Sequence, residues 1–413
     1  MKLSKYVFIF RNNSYYVCFN SISGNIIKLG ENYCDGINIK YEKLSNKQLN
    51  YLASNHFIVK RDDDERKFLE SKLHKLATNI LYLTIEITTS CNFECGFCYQ
   101  HNWDKRIKLS MDDVEKLIAV ISSSDLSAFQ EINIDFIGGE PLLYKKLVVD
   151  IYHAFKEFCL ASEIKLSVKL NTNGFFLNAD TLREFNNTYI MLPFLDPHDY
   201  GSIVNFKNSK DGSKIYDILC KQICSWVPIL NNNADNILIF RYNMNHINAN
   251  NLPLFFEKIN SFGLNNYEIN IVNTANSGIF HNNIEDDEFM QYYFEVVLPL
   301  CKKYGLKHPI KPRCEISRCK ARRKGSFKLY ADGRIGLCNG LPYDDTAPHI
   351  STLSSLCDVD SFYSEIKSYD YINDNIKCNQ CKYIFLCGGP SPCNSHKCPF
   401  NLEYLKKYIL TLI

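Results

Sequence analysis

The side chains best suited to chemistry are three cysteines, Cys91, Cys95 and Cys98, in the stretch LYLTIEITTSCNFECGFCY at residues 81–99. The apolar, β-branched run from Leu81 to Thr88 predicts a strand that delivers the loop carrying them. Thiolates spaced CxxxCxxC can reach three irons of one 4Fe–4S cube and leave the fourth iron without a protein ligand. An electron-transfer cluster normally has four protein ligands, so the open corner implies a place for a further molecule. A zinc knuckle is the competing use of such cysteines. It takes paired CxxC units, however, and one triplet after a strand fits it poorly. A second feature, Gly138-Gly139-Glu140-Pro141, follows the next predicted strand. Its glycines let the backbone approach a ligand closely, and the Glu140 carboxylate can accept hydrogen bonds from an ammonium group. The third feature is a dense run of cysteines: Cys314, Cys319, Cys338, Cys378, Cys381, Cys387, Cys393 and Cys398.

These features sit in an ordinary globular composition. The 413 residues suffice for two or three domains, and 46% hydrophobic against 22% charged residues excludes a disordered chain. A net charge of +2 with no basic block argues against nucleic acid as a partner. No apolar run is long enough to span a bilayer, and the one in MKLSKYVFIFRNN is too short for a signal peptide. The expectation is therefore a cytoplasmic protein that does not engage a membrane. In such a protein eighteen cysteines read as metal ligands rather than disulfides.

The elements that must position these residues follow from periodicity. Residues 1–78 form a first unit, with strands at Tyr6–Phe10, Tyr15–Phe19 and Asn25–Leu29, helices at Lys43–Leu52 and Asp62–Leu76, and an extended Phe57–Lys60 between them. From 79 to 306 strand and helix patterns alternate. Ser110 caps a helix that begins at Met111 with acids in its first turn. Strands at Ile132–Ile137, Lys165–Leu170, Tyr189–Leu195, Ile237–Tyr242 and Tyr267–Val272 alternate with helices at Lys145–Leu160, Ala179–Phe185, Ile215–Cys224, Leu252–Phe262 and Asp286–Tyr304. Six β/α units predict an α/β fold, a partial (β/α)6 TIM-like barrel with its chemistry at the C-terminal ends of parallel strands. Residues 307–413 carry the cysteine-rich part, in which Tyr330-Ala-Asp-Gly-Arg334 predicts a hairpin turn. Cys159, Cys220, Cys224 and Cys301 lie in helix patterns and are expected to be small buried side chains.

The cysteine triplet, with aromatic Phe97 directly before its last member, and the GGEP segment one β/α unit later resemble the radical SAM superfamily. In that family S-adenosylmethionine (SAM) fills the open iron through its amino and carboxylate groups, and one-electron reduction releases a 5′-deoxyadenosyl radical. The resemblance implies that Gly138, Gly139 and Glu140 meet the methionine end of SAM. Asn171-Thr172-Asn173-Gly174 resembles the family's TNG segment, which places Asn171 and Asn173 along the cofactor. Asp196-Pro197-His198-Asp199 resembles a shortened DGxxxxHD segment and offers Asp196. Arg241 and Asn243 match an Arg-x-Asn pattern whose arginine meets the SAM carboxylate.

The Cys319…Gly333…Cys338 element and the CxxCxxxxxC of Cys378, Cys381 and Cys387 resemble the SPASM domain, which holds two auxiliary 4Fe–4S clusters and would bring the total to three. The family's interleaved arrangement assigns Cys314, Cys319, Cys338 and Cys393 to one cluster and Cys378, Cys381, Cys387 and Cys398 to the other. Here Cys387 and Cys393 are two residues further apart than in the family's CxxxC, which leaves the division of Cys393 and Cys398 open. Residues 1–78 resemble the winged-helix-like element that binds the leader of a precursor peptide by strand addition.

Radical SAM/SPASM enzymes largely modify peptides and proteins. The resemblance therefore implies oxidative modification of a ribosomally made precursor peptide, with a flavodoxin- or ferredoxin-type protein as the external electron donor. Thioether formation is the expected bond, and carbon–carbon or carbon–oxygen crosslinking is the alternative. Anaerobic sulfatase maturation needs an aspartate base directly after the GxxxxC cysteine, and this chain has Asn339 there. A non-catalytic iron–sulfur electron carrier would have no use for GGEP or Arg241.

Overall fold

The structure is a computed structural model that describes residues 1–60, 65, 67, 79–100, 106–209, 211–274, 284–306, 325–336, 351–359, 381–383, 386 and 402–413. Contacts divide the chain into two units that are not consecutive in sequence. One comprises Met1–Ala77, Ile310–Lys324 and Lys367–Ile413, the other Thr78–Pro309 and Gly325–Ile366.

In the first unit β1 (Lys2–Leu3), β2 (Val7–Asn12), β3 (Tyr15–Asn20) and β4 (Ile26–Gly30) precede helix α1 (Asn46–Ser54) and β5 (Ile58–Val59). Strands β2, β3 and β4 form an antiparallel sheet in that order, while β1 pairs with β5. The β2–β3 turn is tight because Asn13 adopts φ +51°, which asparagine tolerates. Helix α1 starts three residues later than the periodicity suggests, because Ser45 and Gln48 form a reciprocal capping box. Val7, Cys18, Ile39, Leu52, Phe57 and Ile58 close a small core. Of the expected helix at Asp62–Leu76 only Glu65 and Lys67, both helical, are among the described residues.

In the second unit β6 (Ile80–Glu86), β8 (Glu131–Ile137), β9 (Lys165–Asn171), β10 (Thr188–Pro193), β12 (Ile237–Met244) and β13 (Tyr267–Asn273) lie side by side in chain order, every neighbouring pair parallel. Two short strands, β7 (Phe93–Cys95) and β11 (Val204–Phe206), pair antiparallel outside that sheet. The connecting helices are α2 (Met111–Ser122), α3 (Lys145–Ala161), α4 (Ala179–Glu184), α5 (Ser213–Asn232) and α6 (Leu252–Ser261), followed by α7 (Asp286–Tyr292) and α8 (Leu298–Lys303). The strands are apolar runs because both sheet faces are covered; Leu81, Leu83 and Ile85 of β6 and Ile132, Ile134 and Phe136 of β8 are all buried. This is the parallel α/β sheet that six β/α units require. Helix α5 runs on beyond the expected end at Cys224, through Pro228 to Asn232. Cys159 and Cys301 are buried as expected, but Cys220 is only half-buried and Cys224 is exposed.

Strand β14 (Ser326–Leu329) adds to the sheet parallel to β6, and β15 (Arg334–Gly336) and β16 (Ser351–Thr352) continue it antiparallel. The hairpin turn expected between Tyr330 and Arg334 is present, closed by Tyr330 N–H donating to Arg334 O at 2.9 Å, with Gly333 at φ +81°. The fully buried Glu86–Lys328 ion pair, 3.1 Å, ties β14 to β6. Among the described residues no helix is long and apolar enough to cross a membrane.

Candidate active site

The expected site residues gather at the C-terminal ends of the parallel strands, where loops converge. After β6 the chain stays extended: Ile87 N–H donates to Ile137 O (2.9 Å), Gly139 N–H to Thr88 O (2.8 Å) and Glu140 N–H to Ser90 O (2.8 Å). The GGEP segment thus lies flat against the stem of the cysteine loop. A Cβ on Gly138 would stand 2.6 Å from Thr88 O, and one on Gly139 2.3 Å from Ser90 O. The two glycines are required by this backbone-to-backbone approach rather than by approach to a ligand alone.

A short hairpin-like pairing braces the far side of the loop. Cys95 pairs with Val204 and Phe93 with Phe206, and Gly96 N–H donates to Ile203 O at 2.9 Å. Phe93, Phe175 and Phe206 meet edge to face, with centroids 5.4–5.8 Å apart. No sequence period announces strands of three residues, so this brace was not legible. The aromatic residues at 93, 175 and 206 were its only trace.

Cys91, Cys95 and Cys98 line one cavity of about 700 Å³, together with Phe97, Gly138 and Gly139. Asn171, Asn173, Arg241 and Asn243 line it from the neighbouring strand ends. Burial pushes the Cys91 thiol up to about 11 and raises those of Cys95 and Cys98, Cys95 also feeling the other two thiolates. The backbone N–H of Phe93 donates to Cys91 Sγ at 3.3 Å, and Asn173 Nδ2 lies 3.9 Å from the same sulfur. Asn173 Nδ2 also donates to Asn92 Oδ1 at 2.9 Å, and among the described residues the buried Asn92 amide nitrogen has no hydrogen-bond acceptor. Among the described residues no three His, Cys, Asp or Glu side chains converge on one point, as ligands of a single metal ion do. Thiolates bound to three different irons of one cube stand further apart. The residues present fit such a cluster.

Arg241 Nε donates to Asn243 Oδ1 at 3.1 Å, and among the described residues the guanidinium meets no carboxylate. Burial lowers its pKa, so the group is desolvated without an anionic partner and suits a carboxylate ligand. Asn171 donates to Asp135 Oδ1 and to Phe136 O, the latter at 3.0 Å, and so fixes the β8 end against β9.

Two of the expected site residues do not line the cavity. Glu140 is completely buried and does not line the cavity. Its Oε1 accepts from Leu142 N–H (3.0 Å) and Thr172 Oγ1 (2.7 Å), and its Oε2 from Asn173 N–H (2.7 Å). Burial raises its pKa to about 7 while these donors pull it back. The carboxylate is a staple that sets Asn173. Asp196 is also buried away from the cavity, because Pro197 turns the chain into a short 3-10 turn that Asp196 caps. Its Oδ1 accepts from His198 N–H at 3.0 Å and lies 2.6 Å from His198 Nδ1.

Other groups in the cavity were missed. Asp135 and Lys169 stand opposite each other on β8 and β9, and both line it, as do Tyr99 and Lys207. The available signal was a charged residue inside an otherwise apolar strand. Of the C-terminal cysteines Cys381 is described and half-buried, while Cys314, Cys319, Cys338, Cys378, Cys387, Cys393, Cys398 and also Asn339 lie outside the described residues.

Comparison with known proteins agrees with this geometry. Residues 85–219 match the Radical SAM superfamily. This segment is a radical SAM domain, and that superfamily uses SAM and a 4Fe–4S cluster. An S-adenosylmethionine-dependent nucleotide dehydratase of Psychrobacter lutiphocae is 27% identical over 132 residues, 29% of this chain and 42% of that protein. The chain thus spans less than half the length of this curated relative. Two solved structures share the fold more widely. The anSMEcpe structure with bound AdoMet and Kp18Cys peptide gives a TM-score of 0.59 at 11% identity, covering 81% of this chain and 99% of that one. SuiB of Streptococcus suis bound to the precursor peptide SuiA gives 0.51 at 14% identity, covering 96% and 97%. At these identities the likeness is one of fold.

Proposed function

We propose that this protein is a radical SAM enzyme that oxidatively modifies a ribosomally made precursor peptide, joining a cysteine sulfur to a carbon in a thioether. The observation that carries the reading is a single cavity lined by Cys91, Cys95 and Cys98 on one wall and by Arg241, a cation without a carboxylate partner among the described residues, on another. When bound, a reduced 4Fe–4S cluster supplies the electron that cleaves SAM and yields the radical that removes a substrate hydrogen atom. Cys91, Cys95 and Cys98 would hold that cluster, and Arg241, braced by Asn243, would receive the SAM carboxylate. Glu140 keeps Asn173 beside Cys91, and the Gly138–Gly139 backbone keeps the loop stem in place.

The peptide substrate is supported by the fold shared with two enzymes solved in complex with peptides. Residues 1–78 are assigned to leader binding, residues 79–306 to the radical SAM domain and 307–413 to a SPASM domain with two further 4Fe–4S clusters. Among the described residues β4 pairs only with β3, so its outer edge is the natural place for a leader strand. The auxiliary clusters would take the electron released as the carbon–sulfur bond forms, and a flavodoxin- or ferredoxin-type donor in the cytoplasm would supply the first one.

The test is iron content together with SAM cleavage. Anaerobically reconstituted protein is expected to hold about twelve irons, and replacing Cys91, Cys95 and Cys98 with alanine is expected to remove about four and all 5′-deoxyadenosine formation. Four irons in the intact protein would refute the auxiliary clusters. Deoxyadenosine formation by the triple variant would refute the site.

A further inference from the structure

Strand β11 ends at a residue that the known motifs do not include. Lys207 follows Phe206 directly, and its backbone N–H donates to Asn92 O at 2.9 Å, beside Cys91. Because Phe206 pairs with Phe93 and Val204 with Cys95, the position of Lys207 relative to the cysteine loop is set by backbone register and by the Phe93–Phe206 ring contact. Its side chain is exposed, borders the same cavity as the three cysteines, and makes no ion pair among the described residues.

We propose that Lys207 sets the reduction potential of the cluster held by Cys91, Cys95 and Cys98, as a positioning cation braced against the loop by β11. The proposal rests on the reading of these cysteines as ligands of one 4Fe–4S cluster. A 4Fe–4S core of charge 2+ with three thiolates carries a net charge of −1. One electron from a one-electron donor makes it −2, with no bond formed or broken. A nearby fixed cation lowers the free energy of the more negative state further, and so favours reduction. The Phe93 N–H bonded to Cys91 Sγ acts in the same direction. Because Lys207 is exposed, screening reduces its effect. The expected size is two- to tenfold in the reduction equilibrium, about 20–60 mV at 59 mV per tenfold for one electron.

The experiment uses full-length protein, reconstituted anaerobically and without SAM, as wild type and as the Lys207→Met, Lys207→Arg and Lys207→Glu variants. Iron content, the potential of the reduced-cluster EPR signal and SAM affinity are measured on each. Equal iron content, a potential lowered in Lys207→Met, lowered further in Lys207→Glu and restored in Lys207→Arg would support the proposal, as would a shift that shrinks with added salt. Unchanged potentials at full iron content would overturn it. If SAM affinity fell instead, Lys207 would be assigned to an anion site on the cofactor. Loss of the cysteine-ligand reading itself would show differently, as wild-type protein with no EPR-active cluster, and would bring this proposal down with it.

Discussion

Replacing Gly139 with alanine tests how the site is built. The new Cβ would lie 2.3 Å from Ser90 O, 2.5 Å from Ser90 C and 2.9 Å from Cys91 N. All three are backbone atoms, so no rotamer change can relieve the clash. Carbon and oxygen in contact stand about 3.3 Å apart, so the strands must separate by roughly 1 Å. That movement weakens the hydrogen bonds from Gly139 N–H to Thr88 O and from Glu140 N–H to Ser90 O, both 2.8 Å. Each is worth ~0.5–1.5 kcal/mol net, and overpacking adds ~1–3 kcal/mol. The expected loss is about 2–6 kcal/mol of stability in the radical SAM unit. Denaturant unfolding of wild type and Gly139→Ala measures it, and iron content after reconstitution shows whether Cys91 has moved. A suitable control is Gly30→Ala, whose added Cβ would meet only Tyr33 Cδ2 at 3.9 Å. Wild-type stability and full iron content in Gly139→Ala would refute the argument that the GGEP glycines are demanded by the cysteine-loop stem.

Three further outcomes are expected. Arg241→Ala should weaken SAM binding roughly ten- to hundredfold with the iron content unchanged, because a charge-assisted bond of ~1.5–3 kcal/mol is lost; unaltered affinity by calorimetry would place the carboxylate elsewhere. Burial raises the carboxyl groups of Glu140 and Asp199 to about 7 and about 6. The folded state therefore holds protons that the unfolded chain has released, so this stabilisation is complete below the ordinary carboxylate range and is lost as pH rises through 6 and 7. Unfolding free energy measured across that window should fall by up to a few kcal/mol, and Glu140→Gln and Asp199→Asn should each flatten the slope; parallel curves would contradict this. Glu86→Gln should cost about 3–5 kcal/mol by removing the carboxylate that faces the buried Lys328 charge. Glu86→Leu combined with Lys328→Met should recover most of that loss, and a double variant as unstable as the single one would count against the pair as the cause.

Much of this architecture was legible because parallel strands buried on both faces read as apolar runs of fixed length. The strand beginning at Lys165 and the one beginning at Tyr267 start where the pattern placed them. The cysteine triplet was legible for a different reason, since its three thiols lie within eight residues on one short loop. Glu140 shows what motif reading leaves out. The sequence reveals a carboxylate beside two glycines but not that three donors of its own chain would consume it. The pattern placed a helix over Ile215–Cys224, yet α5 continues through Pro228 to Asn232. The β7–β11 brace and the placement of β14 beside β6 depend on long-range pairing, which leaves no local period. Lys207 and Asp135 belong to no motif and become visible only once the strand ends are brought together.

If a SAM-derived radical acts on a peptide, the mass of that peptide must change. Each short peptide encoded beside the gene is incubated anaerobically with reconstituted protein, SAM and a one-electron reductant, and then analysed by mass spectrometry alongside 5′-deoxyadenosine. The expected product is a precursor lighter by about two hydrogens per link, formed together with deoxyadenosine and resistant to thiol alkylation at the joined cysteine. An unchanged peptide mass beside deoxyadenosine formation that is the same with and without peptide would contradict it.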